Sequence, residues 1–201
     1  ADNLDVNIWE AIKFANFHPR VNVHMPGPGV GGHCIAVDPW FLVELQPELS
    51  KLIHLSRTTN DGMPRYVANQ VKRILEKETQ NGNKVAVFGL AFKGNVDDMR
   101  ESPSTTVIDE LLHVGCEVIS YDPHIKTNQH PTQVQSMEDV LHGADLLIIL
   151  TDHNEFKQLN PALIGDLMTH RMVFDTKNCL PRQDWQNADF ATYLLGDSKE
   201  N

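Results

Sequence analysis

The apolar run Leu146-Leu147-Ile148-Ile149-Leu150 is the feature that most constrains the fold of this chain. A strand that is apolar on both faces is typical of a parallel sheet covered by helices on each side. Further short apolar runs predict strands at 85–88, 117–121, 172–175 and 191–194. Helical patterns separate them at 103–114, 136–142, 154–159 and 161–168. This alternation predicts an α/β fold with a Rossmann-like, doubly wound parallel sheet.

The first 80 residues show helical periodicity without strand patterns. We predict helices at 4–17, 39–46, 48–60 and 64–79. The apolar stripe of the last of these consists of Val67, Val71, Ile74 and Leu75. The run Gln80-Asn81-Gly82-Asn83 is typical of a helix end followed by a turn. We therefore expect a helical segment at 1–80 and a separate sheet domain at 81–201.

Residues 26–34 read Pro-Gly-Pro-Gly-Val-Gly-Gly-His-Cys and form a glycine-rich loop. Glycines allow positive φ angles and a close approach of the backbone to a ligand. Asp38-Pro39 predicts a helix N-cap followed by the first helical residue, which would place Cys34 near a helix N-terminus. The helix dipole favours a thiolate there, so the pattern suggests nucleophilic catalysis on a bound substrate. The alternative is a tight turn with a structural cysteine.

Composition excludes several classes of protein. The 201 residues are 41% hydrophobic and 22% charged, as in globular proteins with a substantial core. The net charge of −10 argues against a nucleic-acid partner. We see no apolar run near ~18 residues and no secretory pattern, so we expect no membrane partner and a cytoplasmic location.

The cysteine and histidine residues do not form a metal-binding pattern. The three cysteines, Cys34, Cys116 and Cys179, are widely separated and odd in number, which indicates a reducing compartment rather than a disulfide framework. The ten histidines are scattered, and no spacing matches a zinc site. We therefore expect no metal, and we expect Cys116 and Cys179 to be structural.

Three segments resemble the UDP-glucose/GDP-mannose dehydrogenase family, whose members oxidise nucleotide-sugars. The first is Gly31-Gly32-His33-Cys34 with Asp38 four residues after the cysteine. The second is Gly89-Leu90-Ala91-Phe92-Lys93-Gly94 followed by Asp97-Asp98-Met99-Arg100-Glu101-Ser102-Pro103. The third is Phe17-His18-Pro19-Arg20, which with Val37-Asp38-Pro39-Trp40-Phe41 is similar to the branch that oxidises UDP-N-acetyl-D-mannosamine. The resemblance is to the C-terminal half of such enzymes.

The resemblance implies a four-electron oxidation of a C6 alcohol to a carboxylate with NAD as cofactor. Cys34 matches the nucleophile that forms a thiohemiacetal and then a thioester. Asp38 matches the residue that orients or activates water, a role compatible with an N-cap. The resemblance implies that NAD is bound mainly by an N-terminal domain that opens on a strand followed by Gly-x-Gly-x-x-Gly, whereas this chain resembles the C-terminal half of the family's enzymes. Arg100 matches a residue that contacts NAD.

The resemblance also implies a UDP-sugar site shared between two subunits of a homodimer. His18 and Arg20 match residues that reach the substrate of the neighbouring subunit. Phe92 and Lys93 match direct substrate contacts. Lys177 stands where many relatives have an arginine, with Asn178 as the alternative. The loop that closes over the sugar diphosphate corresponds to Met25, Pro26, Gly27, Pro28, Gly29, Val30 and Gly31.

Two other interpretations remain open at this point. The chain could be a nucleotide-sugar binding or dimerisation fragment without catalysis. It could also be half of a UDP-glucose or GDP-mannose dehydrogenase. Asp122, at the end of a predicted strand, would fit an NAD ribose contact, but the turn after the first strand lacks Gly-x-Gly-x-x-Gly. We therefore interpret the sheet domain as a UDP-binding module.

Overall fold

The computed structural model describes residue 4 and residues 6–126 and 129–197. Four helices come first: α1 (Ile8–Ala15), α2 (Asp38–Leu45), α3 (Lys51–Asp61) and α4 (Met63–Glu78). The remaining elements are β1 (Lys84–Phe88), α5 (Pro103–His113), β2 (Glu117–Tyr121), α6 (Met137–Leu141), β3 (Leu146–Ile149), a 3-10 turn (Phe156–Gln158), α7 (Pro161–Leu167), β4 (Met172–Asp175), α8 (Arg182–Asn187) and β5 (Ala191–Leu194).

The five strands form one parallel sheet in the order β2-β1-β3-β4-β5. The chain therefore winds outward from β1 in one direction and from β3 in the other, which confirms the predicted doubly wound fold. In such sheets, ligands bind outside the carboxyl ends of the strands at the point where the winding reverses. That point lies between β1 and β3.

Two apolar layers cover the sheet. On one face, α4 and α5 pack against each other and against β1 and β3, through residues such as Val71, Leu75 and Leu111. On the other face, Phe88, Phe156 and Trp185 form a second core with α6, α7 and α8. Every residue of β3 is buried, as its apolar run predicts. The predicted division of the chain at residues 80 and 81 stays a prediction, although α4 belongs to the first of these layers.

Side-chain caps mark four of the eight α-helix starts in the described part of the chain. Asn7, Ser102, Ser136 and Asn160 each cap a helix by accepting a hydrogen bond from a backbone N–H of its first turn. The predicted N-cap at Asp38 is wrong: Val37 occupies the cap position, and Asp38 is the first helical residue. The predicted helix at 154–159 is a short 3-10 turn.

The region before α4 is attached to the sheet at its carboxyl edge. The Trp9 indole donates a hydrogen bond to the Leu195 carbonyl (2.8 Å), and the Ile8 N–H donates to Gly196 (3.0 Å). None of the residues in α1, α2 or α3 is buried. No helix in the described parts of the chain is both long and apolar enough to span a bilayer.

Candidate functional site

Most of the candidate site residues named from the sequence lie at the carboxyl edge of the sheet. The loop after β1 carries Phe92 and Lys93, and the loop after β4 carries Lys177. Ser102 caps α5, so the segment 97–103 also ends at this edge. These connections follow from parallel winding, which brings every strand's carboxyl end to the same side.

The glycine-rich loop packs directly onto these elements. A Cβ atom at Gly27 would lie 3.2 Å from Lys177 Nζ, and one at Gly32 would lie 2.9 Å from a ring carbon of Phe92. At Gly31, a Cβ atom would collide with the Glu101 carbonyl and lie 2.5 Å from Pro103 Cδ. The Gly32 N–H donates to the Glu101 carbonyl (3.3 Å). Glycine is therefore required at 31 for space and favoured at 32, where φ is 98°.

Asn60 fixes the middle of this loop, a role that the sequence did not indicate. The Val30 N–H donates to Asn60 Oδ1 (2.7 Å), while Asn60 Nδ2 donates to the Val30 carbonyl (3.1 Å). Arg57, one turn earlier in α3, pairs with Asp61 at 2.7 Å. A cavity of about 440 Å³ lies behind the loop, between α3, α4 and the start of α5. No local signal distinguishes Asn60 from any other polar residue near a helix end.

Cys34 is exposed in a turn that leads into α2. Its carbonyl accepts hydrogen bonds from the N–H groups of Val37 (3.1 Å) and Asp38 (2.8 Å). The His33 Nδ1 atom lies 3.3 Å from Cys34 Sγ, close enough to exchange a proton with the thiol. Asp38 is exposed on the same turn, one helical position before Pro39. Thiol, imidazole and carboxylate thus lie within six residues on an accessible surface.

Arg100 and Asp98 form an ion pair beside this turn. Arg100 Nη2 lies 2.6 Å from Asp98 Oδ2, and Arg100 Nε donates to both carboxylate oxygens. The hydrogen bonds from Arg100 lower the pKa of Asp98 to about 2, and His33 contributes a smaller effect. Asp98 in turn raises the pKa of Arg100, with a lesser contribution from Cys34. The Asp98–Arg100 ion pair therefore lies in the surroundings of His33 and Cys34.

The two candidate lysines differ in their surroundings. Lys177 lies against Gly27, and its Nζ atom is 3.9 Å from Asp152 Oδ1. Its backbone N–H donates to the buried Asp175 (2.8 Å), which also accepts from Cys179 and Leu180. Lys93 is exposed, and the described residues offer it no ion-pair partner. Lys93 is therefore accessible to an anionic ligand.

His18 and Arg20 lie apart from this cluster. Both are exposed in the loop after α1, where the Arg20 N–H donates to His18 Nδ1 (3.3 Å). Two hydrogen bonds between Asn16 and Val23 close that loop. Met25 is also exposed, whereas Pro28 is buried. The structure thus brings the glycine loop, Phe92 and Lys177 together but leaves His18 and Arg20 facing outward.

Asp122 has a structural environment that explains its position after β2. One carboxylate oxygen accepts from the N–H groups of Leu90 and Ala91, and the other from His124 and Ile125. His153 lies 3.0 Å from the same carboxylate. Burial opposes ionisation of Asp122, but these hydrogen bonds hold its pKa below the usual value.

His124, His153 and Glu155 have ligand atoms within 4.8 Å of one another. Both ring nitrogens of the buried His153 are already engaged, Nε2 with Asp122 and Nδ1 with the Asn95 N–H (2.9 Å). A metal would have to displace one of these hydrogen bonds. The hydrogen bonds of His153 and the 3.3 Å contact between His124 Nε2 and Glu155 account for the closeness of the three side chains.

The described residues thus form a doubly wound α/β domain whose carboxyl edge carries an accessible cysteine on a glycine-rich loop. Two family models match the chain: the "UDP-glucose/GDP-mannose dehydrogenase family, UDP binding domain" at residues 86–182 and the central domain of the same family at residues 1–62. The chain belongs to the UDP-glucose/GDP-mannose dehydrogenase family.

Individual relatives agree with this assignment. A UDP-N-acetyl-D-mannosamine dehydrogenase from Methanocaldococcus jannaschii is 43% identical over 99% of this chain and 46% of its own length. An NDP-N-acetyl-D-galactosaminuronic acid dehydrogenase from Ralstonia nicotianae is 42% identical over 88% of this chain and 41% of its own length. A UDP-D-ManNAc dehydrogenase structure from Pyrococcus horikoshii superposes with a TM-score of 0.86 at 37% identity, covering 98% of this chain and 46% of that one. The chain thus spans about half the length of these relatives.

Proposed function

We propose that this chain is the substrate-binding, nucleophile-bearing part of an NAD-dependent UDP-N-acetyl-D-mannosamine 6-dehydrogenase. The observation that carries the proposal is the packing of the glycine loop and Cys34 turn onto the loop bearing Phe92, Lys93 and Arg100. Two separate family motifs thereby face one another at the carboxyl edge of the sheet. The names of the relatives with 98–99% coverage of this chain support the N-acetylmannosamine substrate.

The substrate would lie under the glycine loop. Lys93 offers an exposed cation for the diphosphate, and Lys177 adds a second beside Gly27. The ring of Phe92, packed against Gly32, offers an apolar face for the uracil. Met25 and Pro26 begin the loop that would cover the diphosphate. Residues 1–80 would form the helical and dimerisation segment, and 81–201 the UDP-binding domain.

Cys34 would act after the C6 alcohol has been oxidised to an aldehyde. The thiolate sulfur adds to the aldehyde carbon, and the resulting oxyanion takes up a proton to give a thiohemiacetal. Loss of that proton and of the C6 hydride leaves a thioester on Cys34. Water then adds to the thioester carbon, and the thiol leaves as the carboxylate forms. Asp38 would orient that water, and His33, at 3.3 Å, can carry the thiol proton.

NAD, when bound, accepts the hydride in each of the two oxidations. Its main binding domain is expected outside this chain. The residues present fit a contact with it, because Arg100 is an exposed cation near Cys34 and is held in place by Asp98. Arg100 would therefore orient a polar group of the cofactor against the thiol.

The assembly would be a homodimer in which His18 and Arg20 reach the partner's substrate. Their outward position and the unburied helices α1 to α3 support a surface that is covered by another chain. The three unpaired cysteines support a cytoplasmic location. The acid product would supply polysaccharide synthesis, as the resemblance implies.

The experiment that tests the proposal measures whether UDP-N-acetylmannosamine protects Cys34 from iodoacetamide. We expect saturable protection, with Lys93→Ala weakening it and the exposed, remote Lys72→Ala leaving it unchanged. Rapid alkylation at saturating ligand would contradict the proposal. The alternative of a noncatalytic binding module predicts ligand binding together with alkylation kinetics of an ordinary thiol at every pH. A UDP-glucose or GDP-mannose half predicts protection by those sugars instead.

A further inference from the structure

The loop after β1, residues 89–102, carries Phe92, Lys93 and Arg100 but has no regular secondary structure. Its position must therefore be fixed by specific contacts rather than by a helix or a strand. The contacts at its start involve Asp122, which accepts from the Leu90 and Ala91 N–H groups at 2.7 and 3.0 Å. The Thr151 hydroxyl donates to the Ala91 carbonyl at 2.8 Å.

A second set of contacts holds the middle of the loop. The Asn95 N–H donates to His153 Nδ1 (2.9 Å), and the Asn154 N–H donates to Asn95 Oδ1 (2.9 Å). Asn95 has φ of 61°, a left-handed conformation that asparagine adopts more readily than most residues. The two segments approach so closely that a Cβ atom at Gly94 would lie 2.8 Å from the Asp152 carbonyl.

The hydrogen bonds determine the tautomer of His153. Its Nδ1 atom accepts from a backbone N–H and so carries no proton, which means that Nε2 carries one and donates to Asp122. The ring is fully buried, stacked on His124 at 4.6 Å and in edge contact with Phe156 at 5.3 Å. Packing therefore leaves His153 little freedom to release the loop.

We propose that Asn95 and His153 are positioning residues that hold the Phe92–Lys93 segment in the geometry required to bind the uridine diphosphate group. We call the pair of hydrogen bonds, Asn95 to His153 and Asn154 to Asn95, the loop clasp. The inference rests on the proposed function, because it assigns the clasp to the same UDP site. Phe92 links the loop clasp to the glycine-rich loop, because its ring lies against Gly32.

The test uses Asn95→Gly in the chain as it stands. Glycine accepts the left-handed backbone and retains the N–H bond to His153, so the variant removes only the side-chain half of the clasp. The matched control is Asp189→Gly, which places glycine at another positive-φ position (64°), in the turn before β5 and thus at the opposite edge of the sheet. Amide hydrogen exchange and calorimetric titration with UDP are measured for both variants.

We expect faster exchange at 91–98 in Asn95→Gly and UDP binding about five- to tenfold weaker, as the loss of one hydrogen bond predicts. Asp189→Gly should match the unsubstituted chain in both measurements. Unchanged exchange at 91–98 would overturn the clasp, and faster exchange with unchanged UDP affinity would overturn its positioning role. If the unsubstituted chain bound no UDP, the proposed function itself would fail, and the inference with it.

The buried half of the clasp is tested by a rescue comparison. In His153→Asn, the side-chain oxygen can occupy the place of Nδ1 and accept from the Asn95 N–H, whereas His153→Leu offers no acceptor. We expect UDP affinity in the asparagine variant to lie closer to that of the unsubstituted chain. Equal affinities in two folded variants would contradict a role for Nδ1. If the leucine variant does not fold, Asn95→Gly still decides the inference.

Discussion

Cys34 is more accessible to a small electrophile than the other two cysteines of this chain. It is exposed, whereas burial raises the pKa values of both Cys116 and Cys179. Since the thiolate is the reactive form, we expect iodoacetamide to modify Cys34 at least about tenfold faster at neutral pH. Peptide mass mapping after a short exposure measures this, and Cys34→Ser is the control. Preferential labelling of Cys116 or Cys179 would contradict the described burial.

Asp122 should give the chain an acid-sensitive component of stability. Its pKa is lowered in the folded state, so the stability it contributes is present above the pKa of the unfolded carboxyl, about 3.9, and is lost as the pH falls through the lower folded value. We expect Asp122→Asn to reduce the free energy of unfolding at pH 7 by about 2–3 kcal/mol, because an amide cannot accept all five hydrogen bonds.

Urea unfolding at pH 7 and at pH 3 measures this effect. The destabilisation should be smaller at pH 3, because the carboxyl of the unfolded chain is largely protonated there and the stability that Asp122 contributes is already reduced. Asp98→Asn is the control, because Asp98 also has a lowered pKa but lies in an exposed ion pair. A control variant as unstable as Asp122→Asn would refute the assignment.

Substitution of Gly31 tests how the glycine-rich loop packs. A methyl group there would overlap the Glu101 carbonyl, so Gly31→Ala must displace the loop from α5. Overpacking of this kind costs about 1–3 kcal/mol, which predicts UDP affinity about five- to hundredfold weaker. Gly62→Ala is the matched control, because its nearest contacts would be at an ordinary 3.5 Å. Equal affinities of the two variants for UDP would show that the loop does not contribute to binding.

At the scale of elements, α3 and α4 should respond differently to truncation. Leu75 in α4 is 4% exposed in the sheet core, whereas Leu52 in α3 is 76% exposed. We expect Leu75→Ala to lower the free energy of unfolding by about 2–5 kcal/mol and Leu52→Ala to change it by less than about 0.5 kcal/mol. Chemical denaturation of the two variants measures the contrast. A large effect at Leu52 would show that α3 is covered in solution.

The elements show how far sequence patterns determine the fold. The apolar runs predicted all five strands within about one residue, because period and composition are local properties. Helix α8 was missed, since Arg182–Asn187 carries only one buried residue, Trp185. The N-cap at Asp38 was wrong because the turn from Cys34 to Val37 continues directly into the helix.

The candidate site could be predicted from the sequence less completely than the fold. Its motif residues could be named from resemblance, but the contacts that hold them could not. Asn60 reaches Val30 across thirty positions, and His153 reaches Asn95 across fifty-eight. Neither pair has a local signature, because each depends on how distant loops meet at the sheet edge. Tertiary structure alone identifies them.

At the scale of the whole molecule, the chain spans about half the length of its relatives. The NAD domain is expected in the other half, so this chain alone should not reduce NAD. We expect no increase in absorbance at 340 nm with UDP-N-acetylmannosamine and NAD. Steady NADH production that depends on Cys34 would contradict the proposal that NAD is bound mainly by a domain outside this chain.

Calorimetric titration of the chain with UDP, UDP-N-acetylmannosamine, UDP-glucose and GDP-mannose is the decisive experiment for the proposed site. We expect saturable binding of the uridine ligands, tightest for UDP-N-acetylmannosamine, with affinity lowered in Lys93→Ala. GDP-mannose should bind least, because the glycine loop and Phe92 would be arranged around uracil. Absence of binding by every uridine ligand, or tightest binding of GDP-mannose, would contradict a UDP-N-acetylmannosamine site at this edge of the sheet.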